Sequence, residues 1–198
     1  LHQETLKLVQ FHNELEDFTD FSEILEIAEK LKSEQKVLHV GVAVRGEAAA
    51  LAAIETGFFE TIQVAYNIVD QRMEEKVLKL AQDKNIGIIN RSVLLKGALT
   101  PARAKLPQTL SQLKQHADKA EEIAKSLGIT LPTLAIRYVL SHPAVSTALI
   151  GTTKPGHILS ALRTSEEAAL PSNILEELRI LAITDANQVD PSKWPPVS

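Results

Sequence analysis

The chain has 198 residues, enough for one well-packed domain and short for two. With 44% hydrophobic and 23% charged residues and a formal charge of −4, the composition is that of an ordered globular protein and argues against a nucleic-acid surface, which needs clustered Lys and Arg. Zero cysteines exclude disulfides, thiolate-bound zinc and a thiol nucleophile.

Residues 6–13, Leu6-Lys7-Leu8-Val9-Gln10-Phe11-His12-Asn13, form an apolar run with partial alternation and read as a strand. Residues 22–31 set Ile24, Leu25, Ile27, Ala28 and Leu31 at helical spacing behind Ser22, the expected N-cap. Residues 37–44 are nearly all apolar, which predicts a strand buried on both faces. An alanine-rich helix over 47–56 is closed by Gly57. The unit then repeats, with strand over 61–66, helix over 72–84 and strand over 86–90. Residues 91–108 are polar, contain Gly97, Pro101 and Pro107, and read as a long connection. Helix is expected over 110–127, ending at Gly128, and again from Pro132 to about Leu140. A last strand over 145–150 stops at Gly151, and helices are expected over 156–164 and 174–183 before a tail ending Trp194-Pro195-Pro196.

Five strands alternating with helices imply right-handed crossovers and a parallel sheet in an α/β protein. Two architectures share that pattern: an open flavodoxin-like sheet, and five units of an eight-unit barrel. No glycine-rich loop follows the first strand, where a doubly wound dinucleotide fold carries one. Where the last strand ends, Gly151, Thr152, Thr153 and Lys154 precede Pro155, a residue suited to the first position of a helix. Hydroxyls, a lysine and a helix N-terminus in one place suit a phosphate; a solvated connection accounts for the same residues equally well. The six histidines show no metal-ligand spacing, so no metal site is expected. With no 18-residue apolar run and no signal-peptide layout, a cytoplasmic protein without membrane or nucleic-acid partners is expected. No pattern encodes an oligomeric state.

Four segments carry a family resemblance: Tyr66-Asn67-Ile68-Val69-Asp70-Gln71-Arg72, Asn90-Arg91-Ser92-Val93-Leu94-Leu95-Lys96-Gly97, Leu134-Ala135-Ile136-Arg137-Tyr138-Val139-Leu140-Ser141, and residues 145–157. In order and spacing they resemble the C-terminal two-thirds of the aldo-keto reductases. The resemblance implies a (β/α)8 TIM barrel, of which residues 1–198 would form a single, incomplete domain of about five βα units plus C-terminal helices. It implies reduction of aldehydes or ketones to alcohols by hydride transfer from NAD(P)H. His12 falls on the family's active-site histidine, which orients the substrate carbonyl. Gln63 falls on the residue that holds the nicotinamide carboxamide. Arg91 falls where a side chain lies against the nicotinamide ring, a stack that a guanidinium can make. Ser92, Leu94 and Gly97 fall on the loop beneath the pyrophosphate. Gly151, Thr152, Thr153, Lys154 and His157 fall on the adenosine 2′-phosphate region, so NADP(H) is favoured over NAD(H).

Some positions depart from the family pattern. Ala43-Val44 stands where the family has Ser-Asn to grip the carboxamide; His157 replaces a common arginine, and Ala161 a common asparagine at the adenine. Weaker or less selective cofactor binding would follow. The family's general-acid tyrosine, with its aspartate and lysine partners, belongs to the first three βα units and has no counterpart here, so the chain as it stands is expected to be inactive. The start at Leu1, with an interior strand almost at once, leads us to expect roughly 100 preceding residues in a barrel of about 250. The competing expectation is a non-catalytic dinucleotide-binding or regulatory module built on a degenerate barrel. A purely structural remnant is disfavoured because Gln63, Arg91, Ser92 and Lys154 remain.

Overall fold

The computed structural model describes residues 4–195; Leu1 and the tail residue Pro196 lie outside them. In chain order come β1 (Leu6–Glu16), α1 (Ser22–Ser33), β2 (Val37–Arg45), α2 (Glu47–Glu55) and β3 (Thr61–Ala65). A π-helical turn (Glu74–Leu78) then runs into α3 (Lys79–Asp83), followed by β4 (Gly87–Arg91) and 3-10 turns at Leu95–Gly97, Pro101–Lys105 and Gln108–Leu110. The remainder is α4 (Ser111–Ser126), α5 (Leu131–Leu140), β5 (Val145–Ala148), α6 (Pro155–Ser165), α7 (Ser172–Arg179) and α8 (Ala186–Val189). The sheet order is β1-β2-β3-β4-β5, and β1, β2 and β3 pair in parallel. Each strand lies beside its predecessor without the reversal that a flavodoxin-like sheet shows at its switch point, so the sheet is wound as in a barrel.

The chain forms two compact units. The described part of the first comprises residues 4–64, 73–89 and 144–146. Its core is the face of the sheet covered by helices: Val40, Val42, Val44, Ile62, Val64 and Ile88 are buried there with Ala49, Ala50, Ala53 and Ile54 of α2. The small alanine side chains let α2 approach the sheet closely. Burial of β2 on both faces sets in only at Val40; Leu38 is 56% exposed and His39 is also exposed. The reason is register, because β3 joins β2 only from Gly41, opposite Thr61. Ser22 is not the N-cap of α1. That place belongs to Phe21, and Asp20 Oδ1 accepts from both the Ser22 N–H and hydroxyl, at 3.0 and 2.7 Å. Phe21 is held edge-to-face between Phe18 and Phe59.

The described part of the second unit comprises residues 65–72, 90–143 and 147–195. Leu113, Ala117, Ala120, Ile123 and Ala124 form the buried stripe of α4, and Leu131, Leu134, Ala135 and Val139 that of α5. Gly128, at φ +68°, makes the turn between them. Thr130 caps α5, its hydroxyl accepting from the Thr133 N–H. The helix expected over 174–183 is α7, shifted toward Pro171, and Ile183 instead donates its N–H to the Val69 carbonyl. The short α8, capped by Asp185, escaped the pattern because four residues carry no periodicity. Among the described residues no single helix is long and apolar enough to cross a membrane.

Candidate functional site

In the first unit the strand register builds a row of three residues. His12 of β1 pairs with Ala43 of β2, and Ala43 with Gln63 of β3. Strands about 4.8 Å apart put the His12 and Gln63 Cα atoms about 10 Å from each other, with one small side chain between them. The three share the face opposite the helix-covered core, because residues at even spacing along a strand point the same way. Val44, one position on, is buried on the core face. Both site residues expected on these strands therefore meet on one rung near the C-terminal ends of the strands, with His12 exposed and Gln63 half-buried. The rung below is Gln10, Gly41 and Thr61. There the Gln10 Nε2 and Thr61 Oγ1 atoms are buried without a hydrogen bond among the described residues.

In the second unit the segments after β3 and β4 are stitched by two asparagines, each fully buried. Asn67 donates from Nδ2 to the Ser92 carbonyl at 3.0 Å, and its Oδ1 accepts from the Val69 and Asp70 N–H groups at 3.1 and 2.9 Å. Asn90 donates from Nδ2 to the Tyr66 carbonyl at 2.9 Å, leaving its buried Oδ1 without a hydrogen bond among the described residues. Asp70 takes a bidentate contact from Arg72 at 2.7 and 2.9 Å. None of these residues was singled out from the sequence. The available signal was a polar residue at or just after the end of a strand, in two loops of one sheet. The stitching fixes Ser92, which adopts φ 62°, and Leu95, Lys96 and Gly97 follow with φ 42°, 50° and 94°. Backbone held in this sparsely populated region is characteristic of functional loops. Arg91 ends β4, with its Nη1 3.4 Å from the Ser92 hydroxyl, and Leu94 lies half-buried in the loop.

Also in the second unit, Thr152, Lys154 and His157 come together in one turn at the start of α6. The Thr152 hydroxyl accepts from the Lys154 N–H and lies against His157 Nδ1, each at 3.1 Å, while the His157 N–H bonds the Lys154 carbonyl at 3.0 Å. Pro155 occupies the first turn of α6, as expected. Gly151, Thr153, Lys154 and His157 are exposed. The two tyrosines of the chain belong to the core of this unit. Tyr66 and Tyr138 are 2% and 3% exposed, stack on each other, and their hydroxyls lie 3.0 Å apart. A depression of about 360 Å³ in the first unit is lined by Thr5, Lys32, Gln35, Val37 and Leu38. It lies at the opposite ends of β1 and β2 from His12 and contains none of the candidate residues.

The chain belongs to the aldo/keto reductase family, whose sequence profile it matches over residues 1–183. It is 27% identical over 155 residues to the NADH-specific methylglyoxal reductase of Escherichia coli, an alignment covering 71% of this chain and 48% of the relative. It is 30% identical over 118 residues to the aldo-keto reductase YhdN of Bacillus subtilis, covering 50% of this chain and 35% of the relative. The chain thus spans about half or less of the curated relatives it matches. Among solved structures it resembles the holo form of an aldo-keto reductase from Bacillus halodurans, with TM-score 0.76 and 21% identity over 96% of this chain and 65% of that one. A glycerol dehydrogenase from Gluconobacter oxydans gives TM-score 0.72 and 20% identity over 98% and 62%. These structural likenesses establish the barrel-type α/β fold.

Proposed function

We propose that this chain supplies the nicotinamide-dinucleotide-binding part of a carbonyl reductase, and that the observation carrying this reading is the rung of His12, Ala43 and Gln63. The chemistry of the donor sets fits such a cofactor. In the first unit, the Gln63 amide suits the carboxamide of a nicotinamide, and the exposed His12 suits the oxygen of an aldehyde or ketone, which it would orient by hydrogen bonding. In the second unit, Arg91 would lie against the flat ring, Ser92, Leu94 and Gly97 would line the pyrophosphate, and Gly151, Thr152, Thr153, Lys154 and His157 would receive the adenosine-side phosphate. The orphaned Oδ1 of Asn90, beside Arg91, adds an unused acceptor to that loop. The bound cofactor would supply the hydride.

Lys154 and His157 favour the 2′-phosphorylated form, NADP(H), whereas the Escherichia coli relative is by its name NADH-specific. Parallel titration with NADPH and NADH decides between them. Reduction of a carbonyl also needs a proton donor at its oxygen. Tyr66 and Tyr138 are buried against each other and present no hydroxyl to a substrate. The 198 residues by themselves therefore bind the dinucleotide and turn over poorly. This is also what the module reading requires, and Ala43 at the centre of the rung supports it. Calorimetric titration of the purified chain with NADH and NADPH, followed by an absorbance assay with methylglyoxal, tests both parts. Saturable binding without turnover is expected, and absence of binding contradicts the proposal.

A further inference from the structure

Arg103 lies on the 3-10 turn Pro101–Lys105 of the second unit and is 9% exposed. Its guanidinium is engaged by three groups. Nε donates to Asp118 Oδ1 at 2.6 Å, Nη2 to the Glu121 carboxylate, and Nη1 to the Thr100 carbonyl at 3.1 Å. Asp118 and Glu121 are on α4, so Arg103 fastens Thr100 to that helix. Burial works against its charge, but the two carboxylates outweigh that and hold it protonated. From Thr100 the bonds continue back along the loop. The Thr100 hydroxyl donates to the Gly97 carbonyl at 2.8 Å and accepts from the Ala102 N–H at 3.1 Å. The Gly97 N–H reaches the Leu94 carbonyl, and the Leu95 N–H the Ser92 carbonyl, each at 2.9 Å.

That stretch is the one whose backbone is held left-handed at Ser92, Leu95 and Lys96, a region that side-chain-bearing residues enter only at a cost. Such strain persists only where the surroundings enforce it. Asn67 holds the Ser92 end. At the other end Arg103 bonds the Thr100 carbonyl.

We propose that Arg103 is a positioning residue that keeps residues 92–100 in the conformation receiving the dinucleotide phosphates. It acts through Thr100 and touches no cofactor. The proposal rests on the dinucleotide-binding reading above. If loosening the clamp leaves the loop competent about a tenth of the time, apparent affinity falls about tenfold.

Arg103→Met tests this, since it keeps much of the buried bulk and removes the donors. Asp118 and Glu121 are 48% and 27% exposed, so they can rehydrate, and α4 keeps its apolar stripe. Glu121→Gln is the milder second variant, and Arg103→Lys, which cannot span both carboxylates and the carbonyl, the partial rescue. Two readouts are taken on the 198-residue chain: amide hydrogen exchange, and titration with NADH and NADPH. Arg103→Met is expected to speed exchange over 92–100 about tenfold, leave Ala117, Ala120 and Ile123 protected, and weaken dinucleotide binding about tenfold, with the other two variants intermediate. Unchanged loop exchange, unchanged affinity, or loss of protection throughout α4 overturns the clamp while the dinucleotide reading stands. A wild-type chain that binds neither dinucleotide overturns that reading, and this proposal with it.

Discussion

The chemistry proposed for the first unit turns on Ala43. It lies between His12 and Gln63 on one rung, buried and without a donor, where the family resemblance leads one to expect a serine hydroxyl. A hydrogen bond there contributes about 0.5–1.5 kcal/mol, so Ala43→Ser is expected to tighten NADH or NADPH binding by roughly 2- to 12-fold. Gln63→Ala is expected to weaken it by a similar factor. Calorimetric titration of the two variants checks both, and an Ala43→Ser protein that binds no better would detach the rung from the carboxamide. His12, Gln63 and Ala43 were singled out in the sequence by their order and spacing relative to the family pattern, although none of them lies in the four segments that carry the resemblance. That they share a rung was not legible, since register is set by pairing between strands distant in sequence. Asn67 and Asn90 were missed for a related reason. An asparagine beside a turn reads as turn chemistry, and only the fold shows that each is buried and bonded to the neighbouring loop.

At the scale of elements, two features hold the strands in their order. Thr61 of β3 folds its hydroxyl over Gly41 of β2, so a Cβ added at Gly41 would lie 2.0 Å from that oxygen and 2.9 Å from the Thr61 carbonyl. One of those atoms is backbone and cannot swing aside. Gly41→Ala is therefore expected to destabilise the chain by about 1–3 kcal/mol in urea unfolding. Thr61→Ala combined with it should recover part of the loss. The second feature is Glu60, whose carboxylate pairs with Lys32 of α1 and accepts the Val40 N–H of β2 at 2.8 Å. Burial works against its ionisation, but the Lys32 and Val40 bonds outweigh it and hold the carboxyl below its ordinary value. A carboxyl lowered on folding stabilises the fold above its unfolded pKa, and that contribution is lost as pH falls through the lowered folded value. Thermal unfolding between pH 7 and pH 3 should show this loss, and Glu60→Gln should flatten the acid limb while lowering stability at pH 7. The element pattern itself was legible because short apolar runs alternate with segments of period-3.6 spacing along the chain. Its ends were less so: β1 runs on to Glu16 and β5 stops at Ala148, since pairing decides where a strand ends.

At the scale of the whole molecule, the sequential order β1-β2-β3-β4-β5 agrees with membership of the aldo/keto reductase family. The chain spans only 48% of the Escherichia coli relative and 65% of the Bacillus halodurans structure, so binding and turnover are separable questions. Sequence patterning left an open sheet and a barrel equally possible, because both repeat strand and helix; strand order separates them. These 198 residues are proposed to hold a nicotinamide dinucleotide. The most direct test is calorimetric titration of the purified chain with NADPH and NADH, with ADP-ribose as competitor. Saturable binding with a dissociation constant in the micromolar range is expected, displaced by ADP-ribose and weakened by Lys154→Ala. A titration with no saturable heat for either dinucleotide up to millimolar concentration would contradict it.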